Sequence, residues 1–252
     1  MCGRYAITTA PEAMRRLFGY PEMPNFPPRY NVAPTQPIPV VRMVEGKRQF
    51  ALVRWGLLPS WVKDPNTFTL LINARGETVN DKPAFRNAMK RRRCLIPADG
   101  FYEWKRDGKG KRPYYIRRKD GEPFAFAGLW ETWMGPNGEE VDTAAIVTTD
   151  ANHLLAPIHN RMPVILPPDA WEMWLDTGNV DAKTAVALIA PAQNEVFEAY
   201  AIAPLVNRVA NDGPEVQMPY TAPEVANVAS SPSAPKKTAR KPKSDDDQTS
   251  LF

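Results

Sequence analysis

Histidine and cysteine are almost missing. The 252-residue chain holds two of each, His153 and His159, Cys2 and Cys94. Two cysteines cannot build a disulfide framework, and these four residues, without CxxC or HExxH spacing, make a poor zinc set. A phosphate-binding glycine loop is also lacking, which argues against nucleotide hydrolysis. No metal and no organic cofactor is expected. Every apolar run falls short of the roughly 20 residues that span a bilayer. The N-terminus lacks the basic-then-apolar pattern of a signal peptide. These absences lead to the expectation of a soluble protein of the cytoplasm, with no membrane contact. The length allows one large domain or two small ones with a sizeable core.

What charge there is lies unevenly. The formal net charge is +4, yet between Arg86 and Lys119 stand thirteen Lys or Arg against Asp99, Glu103 and Asp107. Phe101, Tyr102, Trp104, Tyr114 and Tyr115 are interleaved with them, a composition that suits contact with a phosphate backbone. A solvated basic face with a Lys/Gly hairpin turn has the same composition, so charge leaves both readings open.

The pattern along the chain predicts an α+β fold in one β-rich domain. "TTAPEAMRRLFG" reads as a short helix capped by Thr8 or Thr9 and stopped by Gly19, with Ala13, Met14, Leu17 and Phe18 on one face. "PEMPNFPPRYNVAPTQPIP" is too proline-rich for a helix and reads as irregular chain. Short β-type runs follow: "PVVRMV", "QFALVRWGLL", "RCLIPA", "PYYIRR", "PFAFAGLWETW", "TAAIVTT", "MPVIL" and "FEAYAIAP". "KRDGKGKRP" and "MGPNGEE" are hairpin connections, and "KPAFRNAMKRRR", "PDAWEMWLD" and "DAKTAVALI" are helical. The folded domain is expected over residues 1–222. Residues 223–252 have the composition of a disordered tail, with "SSPSAPKKTARKPKSDDD" offering no aromatic or branched aliphatic residue to bury. The tail ends "QTSLF", and Gln248, Leu251 and Phe252 resemble the peptide with which bacterial repair and replication proteins dock on the sliding clamp. The alternative is a chance pentapeptide.

Four fragments set polar residues among apolar or aromatic ones: "MCGRY", "LLINARGET", "PADGFYEWK" and "PIHNRMPVIL". Taken singly, Glu103 reads equally as an exposed strand residue, His159 as a turn cap and Asn73 as a strand end. Together with "RYNVAP" and "WGLLPSW", in order from Cys2 to about Asn211, they resemble the SOS-response-associated peptidase (SRAP) family. Its members crosslink to abasic sites in DNA and shield them.

The resemblance implies a mixed, mostly antiparallel sheet or barrel with a few peripheral helices. It also implies a monomer acting on single-stranded DNA at the bacterial nucleoid in the DNA damage response. The chemistry of Cys2 agrees. Once Met1 is removed, an α-amine with a reference pKa of about 7.7–8.0 and a thiol of about 8.5 stand on adjacent carbons. The amine can form an imine with the C1′ aldehyde of an abasic sugar, and the thiol can close a thiazolidine on the same carbon. The resemblance makes Glu103 the acid–base carboxyl, and His159 the residue assisting ring opening and crosslink reversal. It makes Asn73 a polar group that holds the sugar or the Cys2 backbone. By the same resemblance Arg4, Arg75 and Arg161 clamp flanking phosphates, and Pro34, Trp61 and Val62 form an apolar wedge beside the lesion. Val62 is a departure, since an aromatic can stand there and a base stacked on an aromatic gains about 1–3 kcal/mol. Trp55 reads as core.

Other readings use the same residues. Alongside crosslinking, autoproteolytic removal of Met1 and weak lyase activity by β-elimination from the imine are expected; alternatively Cys2, Glu103 and His159 serve a thiol autopeptidase or protease without crosslinking. A non-covalent DNA-binding module would leave Cys2 incidental. A metal-dependent nuclease has little support, because the most concentrated carboxylates, Asp245 to Asp247, lie in the tail.

Overall fold

The structure, a computed structural model, describes residues 2–108 and 110–220. Met1, the tail and its Gln248, Leu251 and Phe252 lie outside the described residues. In chain order the strands are β1 (Tyr5–Ile7), β2 (Arg29–Val32), β3 (Pro37–Val44), β4 (Lys47–Trp55), β5 (Asn73–Arg75), β6 (Arg93–Ala98) and β7 (Gly100–Asp107). Then come β8 (Gly110–Arg118), β9 (Phe124–Met134), β10 (Glu140–Asp150), β11 (Arg161–Pro163), β12 (Ile165–Leu166) and β13 (Phe197–Ala201). The helices are short: α1 (Pro11–Phe18), α2 (Arg86–Arg91), α3 (Trp171–Leu175) and α4 (Ala182–Val186). The expected β-rich α+β architecture is what is found.

Strands β3, β4, β10, β9 and β6 close on themselves as a barrel, every pairing antiparallel except β4 with β10. Its interior is filled by Val40, Val53, Ile96, Phe126 and Ile146 among others, which the register puts on one face, all essentially without exposure. Alternation of large apolar side chains along such strands fills a small barrel. A second antiparallel sheet runs β13-β8-β7-β1-β2. Its inner face packs Tyr5 and Phe101 edge-on to Phe126 of the barrel at 5.9 Å each. On its outer face Tyr102 and Tyr115 join Ile202, Val206 and Val216 in a smaller cluster.

Strand β10 ties the barrel to what lies beyond it. One edge pairs first with β4 at Thr143 and Ala144, then with β5 at Ile146, Val147 and Thr148. The other edge pairs with β9 up to Ile146, then with β11 from Thr148 to Asp150. Its first half closes the barrel, and its second half carries β5 and β11 side by side.

Several expectations are corrected. The proline-rich stretch is not wholly irregular, because Arg29–Val32 pairs with β1. Helix α1 forms and stops at Gly19 in the left-handed region (φ 69°), but its N-cap is Ala10. Thr8 and Thr9 donate instead to Asp99, from backbone N–H groups at 2.5 and 3.0 Å. The Thr9 hydroxyl donates to Asp99 as well, so this side chain is turned to the β6–β7 junction and not to the N–H groups that open the helix. Leu17 is exposed, so Met14 and Phe18 make the buried face.

The basic block is not one surface, because it spans α2 and strands of both sheets. Arg93 is buried and donates to the carbonyls of Met89, Trp174, Asp176 and Val180. Arg92 pairs with Glu131, Arg117 with Glu198 and Arg118 with Asp120. A buried guanidinium whose donors are all aimed at carbonyls serves packing, not a phosphate.

Candidate active site

Cys2 precedes β1, and the β1–β7 register sets Tyr5 opposite Phe101 and Ala6 opposite Gly100. The Tyr102 N–H donates to the Arg4 carbonyl at 3.0 Å, which carries the pairing one step further. Side chains alternate along a strand, so Glu103 shares the inward face with Phe101. It is 2% exposed, which overturns its reading as an exposed strand residue. Burial, the leading cause, holds its carboxyl above the usual range, against opposing charges that include His159.

Cys2 is fully buried. Burial first, and then the Glu103 charge, push its thiol well up, so the sulfur is held as S–H. The thiol leans on the Arg4 carbonyl at 3.7 Å. From β5, Asn73 Nδ2 donates to the Cys2 carbonyl at 2.9 Å. Asn73 Oδ1 is buried and has no donor among the described residues. Asn73→Ala is expected to remove one neutral hydrogen bond, about 1 kcal/mol. The free energy of unfolding of the Asn73→Ala protein in a denaturant melt should fall by about that amount.

His159 follows β10. The Arg161 N–H donates to its Nδ1 at 3.0 Å, and the Arg161 carbonyl lies 3.2 Å from the same nitrogen, so the ring is held against the start of β11. The imidazole stands between two clefts. One, of about 610 Å³, is lined by Glu103, Trp104, Lys105, Arg106, Lys111 and His159. The other, of about 570 Å³, is lined by Arg75, Glu77, Asp150, His159 and Arg161. The three basic residues of the first cleft are the part of the basic block that faces the site. Among the described residues no cluster of three or more His, Cys, Asp or Glu could hold a metal. No described helix is long and apolar enough to cross a membrane.

The structure therefore brings Cys2, Asn73, Glu103 and His159 together from three separate segments and a loop. Arg75 is exposed at the second cleft. Arg161 is there too, but its guanidinium is engaged by carboxylates, as set out below. Arg4 Nη1 donates to Asn31 Oδ1 at 2.7 Å and to the Val206 carbonyl at 2.8 Å. Asn31 in turn donates to the carbonyls of Val206, Arg208 and Asn211. In this arrangement Arg4 fastens the C-terminal part of the fold beside Cys2.

Trp61 is 58% exposed and rests edge-on against Phe68, so most of its indole faces solvent. Val62 is 7% exposed and packs with Leu58 and Trp133, so its side chain supports the Trp61 loop. Pro34 is half-buried in the turn between β2 and β3. Trp55 is core, its Nε1 donating to the Ile72 carbonyl. Sequence reasoning passed over Glu77, Asp150 and Asn31. Glu77 and Asn31 stand inside the fragments "INARGET" and "RYNVAP", but nothing local marks them as partners of Arg161 and Arg4.

The chain matches the family described as SOS response associated peptidase (SRAP) over residues 1–209. Among similar proteins, the abasic site processing protein YoqW of Bacillus subtilis (strain 168) is 40% identical over 220 residues, covering 86% of this chain and 98% of YoqW. The abasic site processing protein HMCES of Xenopus tropicalis is 32% identical over 260 residues, covering 85% of this chain and 77% of that protein. A crystal structure of a protein from Bacteroides thetaiotaomicron superposes with a TM-score of 0.78 at 28% identity, over 87% of this chain and all of that one. The barrel, the second sheet and the convergence at Cys2 all lie within the matched residues, and the chain belongs to the SOS response associated peptidase (SRAP) family.

Proposed function

We propose that this chain processes abasic sites in DNA, capturing the lesion in single-stranded DNA as a thiazolidine on Cys2 after Met1 is removed. One observation carries the reading. Two buried ionisable groups, the Cys2 thiol and the Glu103 carboxyl, are both pushed toward their protonated forms by burial, and Asn73 anchors the Cys2 backbone at the same place. The names of YoqW and HMCES, abasic site processing proteins, support the substrate.

The steps balance without a cofactor. The sugar opens to its C1′ aldehyde, with His159 moving the proton. The Cys2 α-amine adds to C1′ to give a carbinolamine. Glu103, neutral, protonates the leaving hydroxyl; water departs, leaving an iminium and a Glu103 carboxylate. The thiol then adds to C1′, the S–C bond forming as its proton passes to that carboxylate. Glu103 ends as it began, and one water is lost overall. A thiol held as S–H suits this order, because the amine attacks first and the sulfur needs a base only for ring closure. Lys105, Arg106 and Lys111 supply charge for the strand along the first cleft.

Intact-mass measurement with abasic single-stranded DNA tests the reading. The expected species is the protein lacking Met1 plus the oligonucleotide minus one water. Peptide cleavage without this adduct would favour a thiol peptidase, and binding without it a non-covalent module.

A further inference from the structure

Arg161 is the most heavily engaged cation at the site. Its Nη1 and Nη2 form a fork on Glu77 at 2.7 and 2.9 Å. Nη1 also donates to Asp150 at 2.7 Å, and Nη2 to the Thr148 carbonyl at 2.9 Å. The fork holds the Glu77 carboxyl below its usual range. The second cleft therefore sets two arginines against two carboxylates, whereas the first sets three basic residues against Glu103. A DNA phosphate cannot form a bidentate bond to Arg161 while Glu77 occupies the same donors.

The two sides of this arrangement are unequally covered. The Arg161 side chain is 13% exposed, while those of Glu77 and Asp150 are 49% and 82% exposed. The carboxylates can swing back into water, while the arginine stays in place. Arg161 Nε is buried and has no acceptor among the described residues, so the fork leaves one donor unused. Exchange of a carboxylate for a phosphate replaces one anion by another.

We infer that Glu77 and Asp150 are specificity-determining residues, competing with DNA phosphate for Arg161 and so keeping residence on undamaged strands short. This rests on Arg161 being a phosphate contact of the reading above. Exposed ion pairs are weak, enough to lower non-covalent affinity several-fold and too little to prevent capture by a covalent bond. Discrimination then falls to the reaction at Cys2, since an intact strand leaves and an abasic strand is held.

The test is binding of an undamaged single-stranded oligonucleotide, by fluorescence anisotropy and stopped-flow dissociation, with thermal melts as the control for folding. Glu77→Gln and Asp150→Asn, which reach Arg161 independently, are each expected to tighten binding about three- to tenfold through slower dissociation. The salt dependence should steepen by about 0.7 log units per log unit of salt for each further phosphate neutralised on a single strand. Arg161→Gln should weaken binding, and Glu77→Gln should add nothing in that background. If Arg161→Gln weakens binding but neither acid variant tightens it, the competition is refuted while the phosphate contact stands. Tighter binding by Glu77→Gln that persists without Arg161 refutes it as well, since bulk charge then accounts for the effect. If Arg161→Gln binds like the unaltered protein, the phosphate-contact reading falls, and the inference with it.

Discussion

Cys2→Ala is expected to abolish the stable adduct with abasic DNA, lowering its yield by at least a hundredfold on denaturing gels and in intact-mass spectra. The α-amine survives the substitution, so the imine can still form; it can be reduced by borohydride or can lose the strand by β-elimination. The variant should therefore nick abasic DNA, or be trapped on it, while failing to hold it. No other thiol can replace Cys2. Cys94, the other cysteine, is fully buried, and its thiol is pushed far above its usual range by desolvation. A Cys2→Ala protein that still gives a borohydride-independent adduct would rule out thiazolidine chemistry here.

The second large effect is expected at Glu103. Glu103→Gln keeps the shape and removes the transferable proton, and a positioned acid–base group is worth about 10²–10⁴ in rate. Adduct formation by the unaltered protein should rise with pH as the α-amine is deprotonated, then fall as the neutral Glu103 acid is lost. The Gln variant should lack the second limb.

Stability should move the other way. Because burial raises the folded pKa of Glu103, the native state holds a proton that the unfolded chain has lost above about pH 4.3. Its contribution to stability therefore declines as pH rises from that value through the raised pKa, and the cost persists at neutrality. Glu103→Gln should have a higher Tm than the unaltered protein at pH 7 and no such advantage below about pH 4. Equal Tm differences at both pH values would show that the carboxyl carries no burial cost.

The hydrophobic runs located the barrel well. "PVVRMV", "QFALVRWGLL", "RCLIPA", "PFAFAGLWETW" and "TAAIVTT" fall on β3, β4, β6, β9 and β10. Missing from those runs are β1, β2, β5 and β7, which carry or flank Cys2, Arg4, Asn31, Asn73 and Glu103. They are short or broken by polar residues, because a strand that lends a carboxyl or an amide to a site gives up apolar alternation there.

The fragments around Cys2, Asn73, Glu103 and His159 were visible as polar residues in apolar settings. That they meet was not visible, because Asn73 reaches Cys2 across 71 positions and Arg161 reaches Glu77 across 84. Charge misled most, because a count along the chain ignores direction. Arg93 points inward to four carbonyls, while Lys105, Arg106 and Lys111, close by in sequence, face the cleft.

The double duty of β10 bears on how the site moves. Local openings in a protein occur in cooperative units, and elements that share a core strand open together. The Ile146 N–H donates to the Ile72 carbonyl beside Asn73, and the Val147 carbonyl accepts from the Val164 N–H beside β11, on a strand whose first half seals the barrel. Fraying of the strands that carry Asn73 and Arg161 is thus resisted by the barrel itself. Backbone opening at Asn73 or Arg161 therefore draws on the stability of the barrel, which leaves side-chain rotation as the cheaper adjustment around Cys2.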